Sequence, residues 1–76
     1  MKRVDIDYYE PGKFYLYVCR TGGHTLVSVF RRLDSNSSQY FIKREYVSNL
    51  PVKWNSYLYF ELNEDEFITH VALANI

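Results

Sequence analysis

The stretch that decides the fold is KFYLYVCRTGGHTLVSVFRRL, residues 13–33. Two runs rich in aromatic and β-branched residues, 13–20 and 25–33, lie on either side of Gly22 and Gly23. A glycine pair between two such runs is typical of a β-hairpin with a two-residue turn, because glycine tolerates the positive φ angles of that turn. The stretch therefore predicts a hairpin in which Thr21 lies opposite His24.

Both faces of this hairpin are predicted to be apolar. Residues opposite each other in an antiparallel pair share a face, so counting back from the turn yields two sets of pairs. The first set, which defines the tyrosine face, is Tyr15 with Phe30, Tyr17 with Ser28 and Cys19 with Leu26. The second set, which defines the aliphatic face, is Leu16 with Val29 and Val18 with Val27. A strand that is apolar on both sides belongs at the centre of a sheet, so we predict that residues 13–20 are buried on both sides.

The N-terminal segment has the pattern of another strand. Residues 3–10 alternate between polar and apolar side chains, the period of a strand with one wet face, and Pro11-Gly12 then marks a turn. A two-residue turn there would set Tyr8 opposite Tyr15 and Ile6 opposite Tyr17. The pattern therefore predicts a strand over residues 3–10 that enlarges the tyrosine face.

A fourth strand is predicted over residues 39–47, after the polar loop at 34–38, although residues 42–50 also fit a helix. Continuing the alternation across the loop places Ile42 and three candidate contact residues beside Phe30 and Arg32 on the tyrosine face: Tyr40, Arg44 and Tyr46. The same count places Phe41 and Val47 on the aliphatic face.

Residues 56–62, SYLYFEL, predict a fifth strand with Tyr57 and Tyr59 on the side of Glu61 and therefore partly exposed. After residue 62 the apolar side chains change from the two-residue spacing of a strand to the spacing of a helix. Asn63 suits a helix N-cap, Glu66 completes a capping box, and Leu62 with Phe67 can form a hydrophobic staple. An apolar stripe follows at helical spacing, made by Phe67, Ile68, Val71, Ala72 and Ala74. These signals predict a helix from about residue 64 to the chain end, while residues 67–71 alone also fit a strand.

The expected fold is α+β: one domain over residues 1–76, with a mainly antiparallel sheet of about five strands and a C-terminal helix. A chain of 76 residues can build only one core. One short helix covers one face of a sheet, so the second apolar face needs a different cover. An all-β small barrel is the alternative fold, and a homodimer or a bound partner are the other two ways to cover that face.

Composition narrows the class of function. Nine basic and nine acidic residues cancel, whereas dedicated nucleic-acid binders usually carry a basic excess. A single cysteine, Cys19, forms no internal disulfide and favours a reducing, cytoplasmic location. No apolar run is long enough for a signal peptide or a membrane span, so we expect no membrane contact. Aromatic residues make up 18% of the chain, and such side chains recur at binding interfaces.

Candidate catalytic and metal residues are sparse. Cys19 and His24 lie near the glycine turn, and His70 is the second histidine, but zinc sites need three or four protein ligands and a Cys–His pair needs an orienting third group. Helix capping accounts for most of the acidic cluster at Glu61 and residues 64–66. The glycine turn joins two strands, unlike a phosphate loop. We therefore expect no enzyme, no metal and no cofactor. Trp54 fits either a core contact or an exposed anchor.

The predicted function is binding. A face with aromatic residues and arginine resembles a binding hot spot, and its predicted contact residues are Tyr15, Tyr17, Phe30, Arg32, Tyr40, Arg44 and Tyr46. We expect a non-enzymatic protein that inhibits or modulates another protein. Small neutral chains of this kind are common among phage and mobile-element inhibitors of host systems, an analogy of size alone. One alternative is single-stranded nucleic-acid binding, with Arg31-Arg32 and Lys43-Arg44 holding phosphates between stacked bases. The other is a homodimeric structural subunit.

Overall fold

The computed structural model describes residues 1–47 and 56–74. Its elements are β1 (Lys2–Arg3), β2 (Phe14–Thr21), β3 (His24–Arg32), β4 (Ser38–Val47), β5 (Ser56–Leu62) and α1 (Glu64–Ala74). The strands form one antiparallel sheet in the order β1-β5-β2-β3-β4, and the sheet stays open. The α+β prediction is confirmed, and the barrel alternative is not what the chain adopts.

The central hairpin has the predicted register. Thr21 lies opposite His24, and the pairing continues to Tyr15 opposite Phe30. Gly22 and Gly23 have φ angles of 53° and 88°, the left-handed conformations that a two-residue hairpin turn requires. Since β5 pairs with the other side of β2, this strand is the middle one of the sheet. Tyr15 on one face is fully buried and Leu16 on the other is 6% exposed, so the strand is buried on both sides at these positions, while residues 17–19 are half-buried and Lys13 and Arg20 are exposed.

A β-bulge in β4 reverses the faces beyond it. Phe30 pairs with Tyr40 but Val29 pairs with Ile42, so Phe41 is the extra residue of the bulge. From Ile42 onward the alternation is therefore shifted by one, and every later side chain changes face.

This shift corrects part of the predicted tyrosine face. Tyr40 lies on it as predicted, but Ile42 opposite Val29, Arg44 opposite Val27 and Tyr46 opposite Thr25 share the aliphatic face. Val47 moves the other way, onto the tyrosine face opposite His24. The strand continues through Val47, which excludes the helix that residues 42–47 also fitted. The rest of that segment, with Trp54, lies outside the described residues.

The predicted strand over residues 3–10 is wrong. Only Lys2–Arg3 forms a strand, and it pairs with β5, opposite Glu61 and Phe60. The position beside β2 belongs to β5, so the following residues cannot pair there and leave the sheet. The Tyr8 N–H donates to the Asp5 carbonyl in a turn, at 2.9 Å. Tyr8 nevertheless lies near Tyr15, because this loop folds over the tyrosine face and the two rings meet edge to face at 6.3 Å.

The helix covers the aliphatic face and begins as predicted. Asn63 Oδ1 accepts from the Glu66 N–H at 2.8 Å, and Glu66 Oε1 accepts from the Asn63 N–H at 3.0 Å, a complete capping box. Phe67 packs against the buried cluster that contains Leu62. The predicted apolar stripe is only partly buried, since Ile68 is 55% exposed. No helix in the described ranges is long and apolar enough to cross a membrane.

Candidate binding pocket on the tyrosine face

The N-terminal loop covers one end of the tyrosine face. Beneath it Tyr15, Phe30 and Tyr59 form a buried cluster, with the rings of Tyr15 and Tyr59 stacked at 5.1 Å. The Glu10 N–H donates to the Tyr15 Oη at 2.7 Å, which ties the loop to the cluster, and Val4 packs against it. Of the predicted contact residues, Tyr15 is therefore a fully buried core residue, and Phe30, 6% exposed, is reached only from the pocket described next.

The other end of the tyrosine face holds a pocket of about 190 Å³. Phe30, Ser28 and Tyr59 are its most deeply buried lining residues, each less than 8% exposed. The more open lining residues include Tyr17 and Tyr40. The Tyr40 side chain is 54% exposed, and the centroid of its ring lies 5.4 Å from that of the Phe30 ring. Tyr40 therefore forms the rim of the pocket and packs against the buried Phe30. Ile6, 56% exposed, also lines the pocket and comes from the loop.

Arg32 is held in place at this pocket by several contacts. Its Nη1 donates to Ser38 Oγ at 3.0 Å, and its Cζ lies 4.9 Å from the centre of the Tyr9 ring. Within the described part of the chain its buried Nε has no hydrogen-bond partner. These contacts therefore fix the orientation of the guanidinium at the pocket.

The predicted basic patch is divided between the two faces. Arg32 and Lys43 belong to the tyrosine face, and the Lys43 Nζ lies 5.2 Å from the centre of the Tyr40 ring. Arg31 and Arg44 belong to the aliphatic face, where Arg31 donates to Gln39 Oε1. The predicted alternation also placed two of these cations on each face, and the bulge at Phe41 exchanges Arg44 for Lys43 on the tyrosine face.

Two phenol hydroxyl groups of the pocket, those of Tyr17 and Tyr59, are neutral at physiological pH. Burial raises the pKa of Tyr59 to about 12. Burial raises the pKa of Tyr17 as well. A neutral phenol can both donate and accept a hydrogen bond, as can the Ser28 hydroxyl. The pocket thus combines aromatic surfaces, neutral hydroxyl groups and one oriented cation, a set suited to recognition.

The sequence-derived catalytic and metal candidates have other surroundings. Cys19 lies between Leu26 and Tyr57 in the sheet, and His24 Nδ1 lies 2.9 Å from Glu45 Oε1. Residues 1–47 and 56–74 contain no group of three side chains placed to hold a metal ion. In the acidic cluster, Glu66 caps the helix and pairs with the N-terminal amine, while Glu61 Oε1 lies 3.1 Å from Lys13 Nζ.

The predicted contact residues did not include Ile6, Ser28 or Tyr59, although Ile6 and Ser28 were placed on the tyrosine face. The prediction that Tyr59 is partly exposed is wrong, because the sequence did not show which strand β5 pairs with. It pairs with β2, so Tyr59 lies opposite Tyr17 and is only 7% exposed. The repeated Tyr-Leu-Tyr at 15–17 and 57–59 was an available signal, since two strands with matching patterns can share both faces. Ser28 was placed on the correct face but treated only as the residue opposite Tyr17.

No protein-family model matches the chain, and neither a curated protein nor a solved structure matches it significantly. A functional assignment therefore depends on the geometry of the tyrosine face.

Proposed function

We propose that this chain is a non-enzymatic binding protein that inhibits or modulates another protein by seating one of its side chains in the pocket of the tyrosine face. The observation that carries the proposal is the rim residue Tyr40, a tyrosine 54% exposed beside a preformed aromatic pocket. Exposed tyrosines bind at low entropic cost, because their rings have few rotatable bonds and one polar end.

The size and chemistry of the pocket favour one apolar or aromatic side chain as its ligand. A cavity of about 190 Å³ is too small for a cofactor, and binding pockets for whole drug-sized molecules are usually larger than about 300 Å³. Binding hot spots combine buried pockets with tyrosine and arginine, the residue types of Tyr17, Tyr40 and Arg32. Because the lining residues belong mainly to packed strands, little ordering is needed on association.

Single-stranded nucleic acid is the second candidate, favoured by Lys43 beside the Tyr40 ring. A base could stack on the tyrosine while Lys43 and Arg32 contact phosphates. The salt dependence of the binding affinity distinguishes a nucleic-acid partner from a protein partner. Binding that neutralises several phosphates weakens steeply between about 50 and 200 mM salt, whereas an aromatic protein interface changes little.

The test is a capture experiment from an extract of the native cells with a matched pair of variants. Tyr40→Ser removes the rim of the pocket, and Tyr46→Ser changes a tyrosine of nearly equal exposure, 54% against 52%, on the opposite face of the same strand. Both variants are first shown to be folded by circular dichroism. We expect Tyr40→Ser to lose the partner and Tyr46→Ser to keep it at 50 and 200 mM salt. Equal retention by both variants would refute the pocket as the contact surface.

A further inference from the structure

In the described part of the chain, β4 is the longer of the two edge strands of the sheet. This strand has ten residues, and its only described neighbour is β3. Most of its residues are exposed, up to 72% for Val47. A long edge strand carries a row of unpaired backbone N–H and C=O groups, and another strand can pair with them.

The register of the β2–β3 hairpin determines which residues of β4 point their backbone N–H and C=O groups away from β3. Thr21 and His24 flank a two-residue turn and form a hydrogen-bonded pair, so every second residue of β3 after His24 points its backbone toward β2. The Arg32 N–H bond to the Lys13 carbonyl, 3.2 Å long, fits this alternation. The intervening residues of β3 point toward β4, where they meet Ile42 and Arg44. The backbone groups of Lys43 and Glu45 therefore point away from the sheet.

The charges at these outward positions have opposite signs. In a symmetric antiparallel pair of β4 strands centred on this segment, Lys43 can lie opposite the partner's Lys43, Glu45 opposite the partner's Glu45, or Lys43 opposite the partner's Glu45. Only the third register places opposite charges directly across from each other, and it does so twice because of the symmetry.

We propose that β4 of one protomer pairs with β4 of a second copy in this third register, about a twofold axis at Arg44. The pairs Lys43–Glu45 and Glu45–Lys43 would exchange about four backbone hydrogen bonds. The two five-stranded sheets then form one continuous sheet. Opposite residues share a face, so both tyrosine faces, each with its pocket, lie on the same side of the dimer.

Two features of β4 bear on this pairing. Charged residues and bulges often protect a sheet edge from pairing, but like charges serve that purpose better than the opposite charges at Lys43 and Glu45. The bulge lies at Phe41, so residues 42–47 remain a regular strand. Arg44 would face the partner's Arg44 across the twofold axis, a like-charge contact that weakens the pairing.

The experiment measures self-association of the full chain by sedimentation equilibrium from about 10 μM to 1 mM. Lys43→Glu and Glu45→Lys each place like charges opposite each other twice, so each variant should dimerise about tenfold more weakly than the wild type. An equimolar mixture of the two variants restores both opposite-charge pairs and should associate as the wild type does. Lys2→Glu, on the edge strand at the other side of the sheet, is the control and should dimerise normally.

Circular dichroism first establishes that each variant is folded. A wild type that stays monomeric throughout the concentration range would overturn the proposal. So would single variants that dimerise normally, or a mixture that associates no better than its components. Each of these outcomes concerns the edge of β4 and leaves the pocket proposal to its own test.

Discussion

Removing the Phe67 ring should detach the helix from the sheet. The ring stacks on Phe14 with centroids 3.9 Å apart and meets the Phe41 ring edge to face at 4.8 Å. It also packs against the buried cluster of Leu62 and Val29. No other helix in the described residues covers the aliphatic face, so Phe67→Ala tests how that face is closed.

The contacts set the size of the effect. Phe67 is half-buried, and returning that area to water costs about 1–1.5 kcal/mol. Each of the two ring pairs adds about 0.5–1.5 kcal/mol. Alanine regains about 0.5 kcal/mol through its higher helix propensity. The net loss is about 1.5–4 kcal/mol, out of a total stability of roughly 4–11 kcal/mol for a chain of this length.

The assay is urea and thermal unfolding followed by circular dichroism. We expect the Phe67→Ala thermal midpoint to fall by roughly 6–30 °C. Ile68→Ala is the matched control, because Ile68 is the next residue of the helix and is 55% exposed. Its cost should stay below about 0.5 kcal/mol. Equal destabilisation by the two variants would refute the helix orientation, and a cost below about 1 kcal/mol for Phe67→Ala would refute the ring packing.

Two further predictions concern the tyrosine face. Tyr15→Phe removes the acceptor of the Glu10 N–H, so we expect a loss of about 1 kcal/mol and faster hydrogen exchange of the Glu10 amide; unchanged exchange would show that this bond does not hold the loop. Because the pKa of Tyr59 rises in the folded protein to about 12 from an ordinary value of 10.0, its contribution to stability is complete below pH 10 and is lost as the pH rises toward 12. Urea unfolding at pH 9–12 should show this fall in the free energy of unfolding. In Tyr59→Phe the fall should be about 1–3 kcal/mol smaller than in the wild type, and in the exposed control Tyr57→Phe it should equal that of the wild type. An identical decline in both variants would contradict the assignment to Tyr59.

Where the sequence predictions succeeded, short-range chemistry decides the structure. The turn at Gly22 and Gly23 requires positive φ angles, and the pairs along the hairpin follow from it by counting. The helix start depends on Asn63 and Glu66, three residues apart. Each signal lies within a few residues of the feature it predicts, and neither needs knowledge of a distant part of the chain.

The predictions failed where two distant segments compete or where one residue shifts a register. The alternation in residues 3–10 is a genuine strand pattern, but β5 occupies the position beside β2 that this segment would need. The bulge at Phe41 has no glycine or proline to mark it, and it moved Arg44 and Tyr46 to the other face. Of the seven predicted contact residues, the pocket keeps Tyr17, Arg32 and Tyr40 at its surface, with Phe30 beneath them.

The sequence by itself determined the central hairpin, its strand that is apolar on both sides, and the start of the helix, because turn, cap and alternation are local properties of the chain. Only the tertiary structure decided what covers the tyrosine face. The N-terminal loop, tied to Tyr15 through the Glu10 N–H, covers one end and leaves a pocket beside Tyr40 at the other. The physical reason is that all segments of the chain compete for the same buried surface. The sequence of one segment therefore does not determine which segment packs on the tyrosine face.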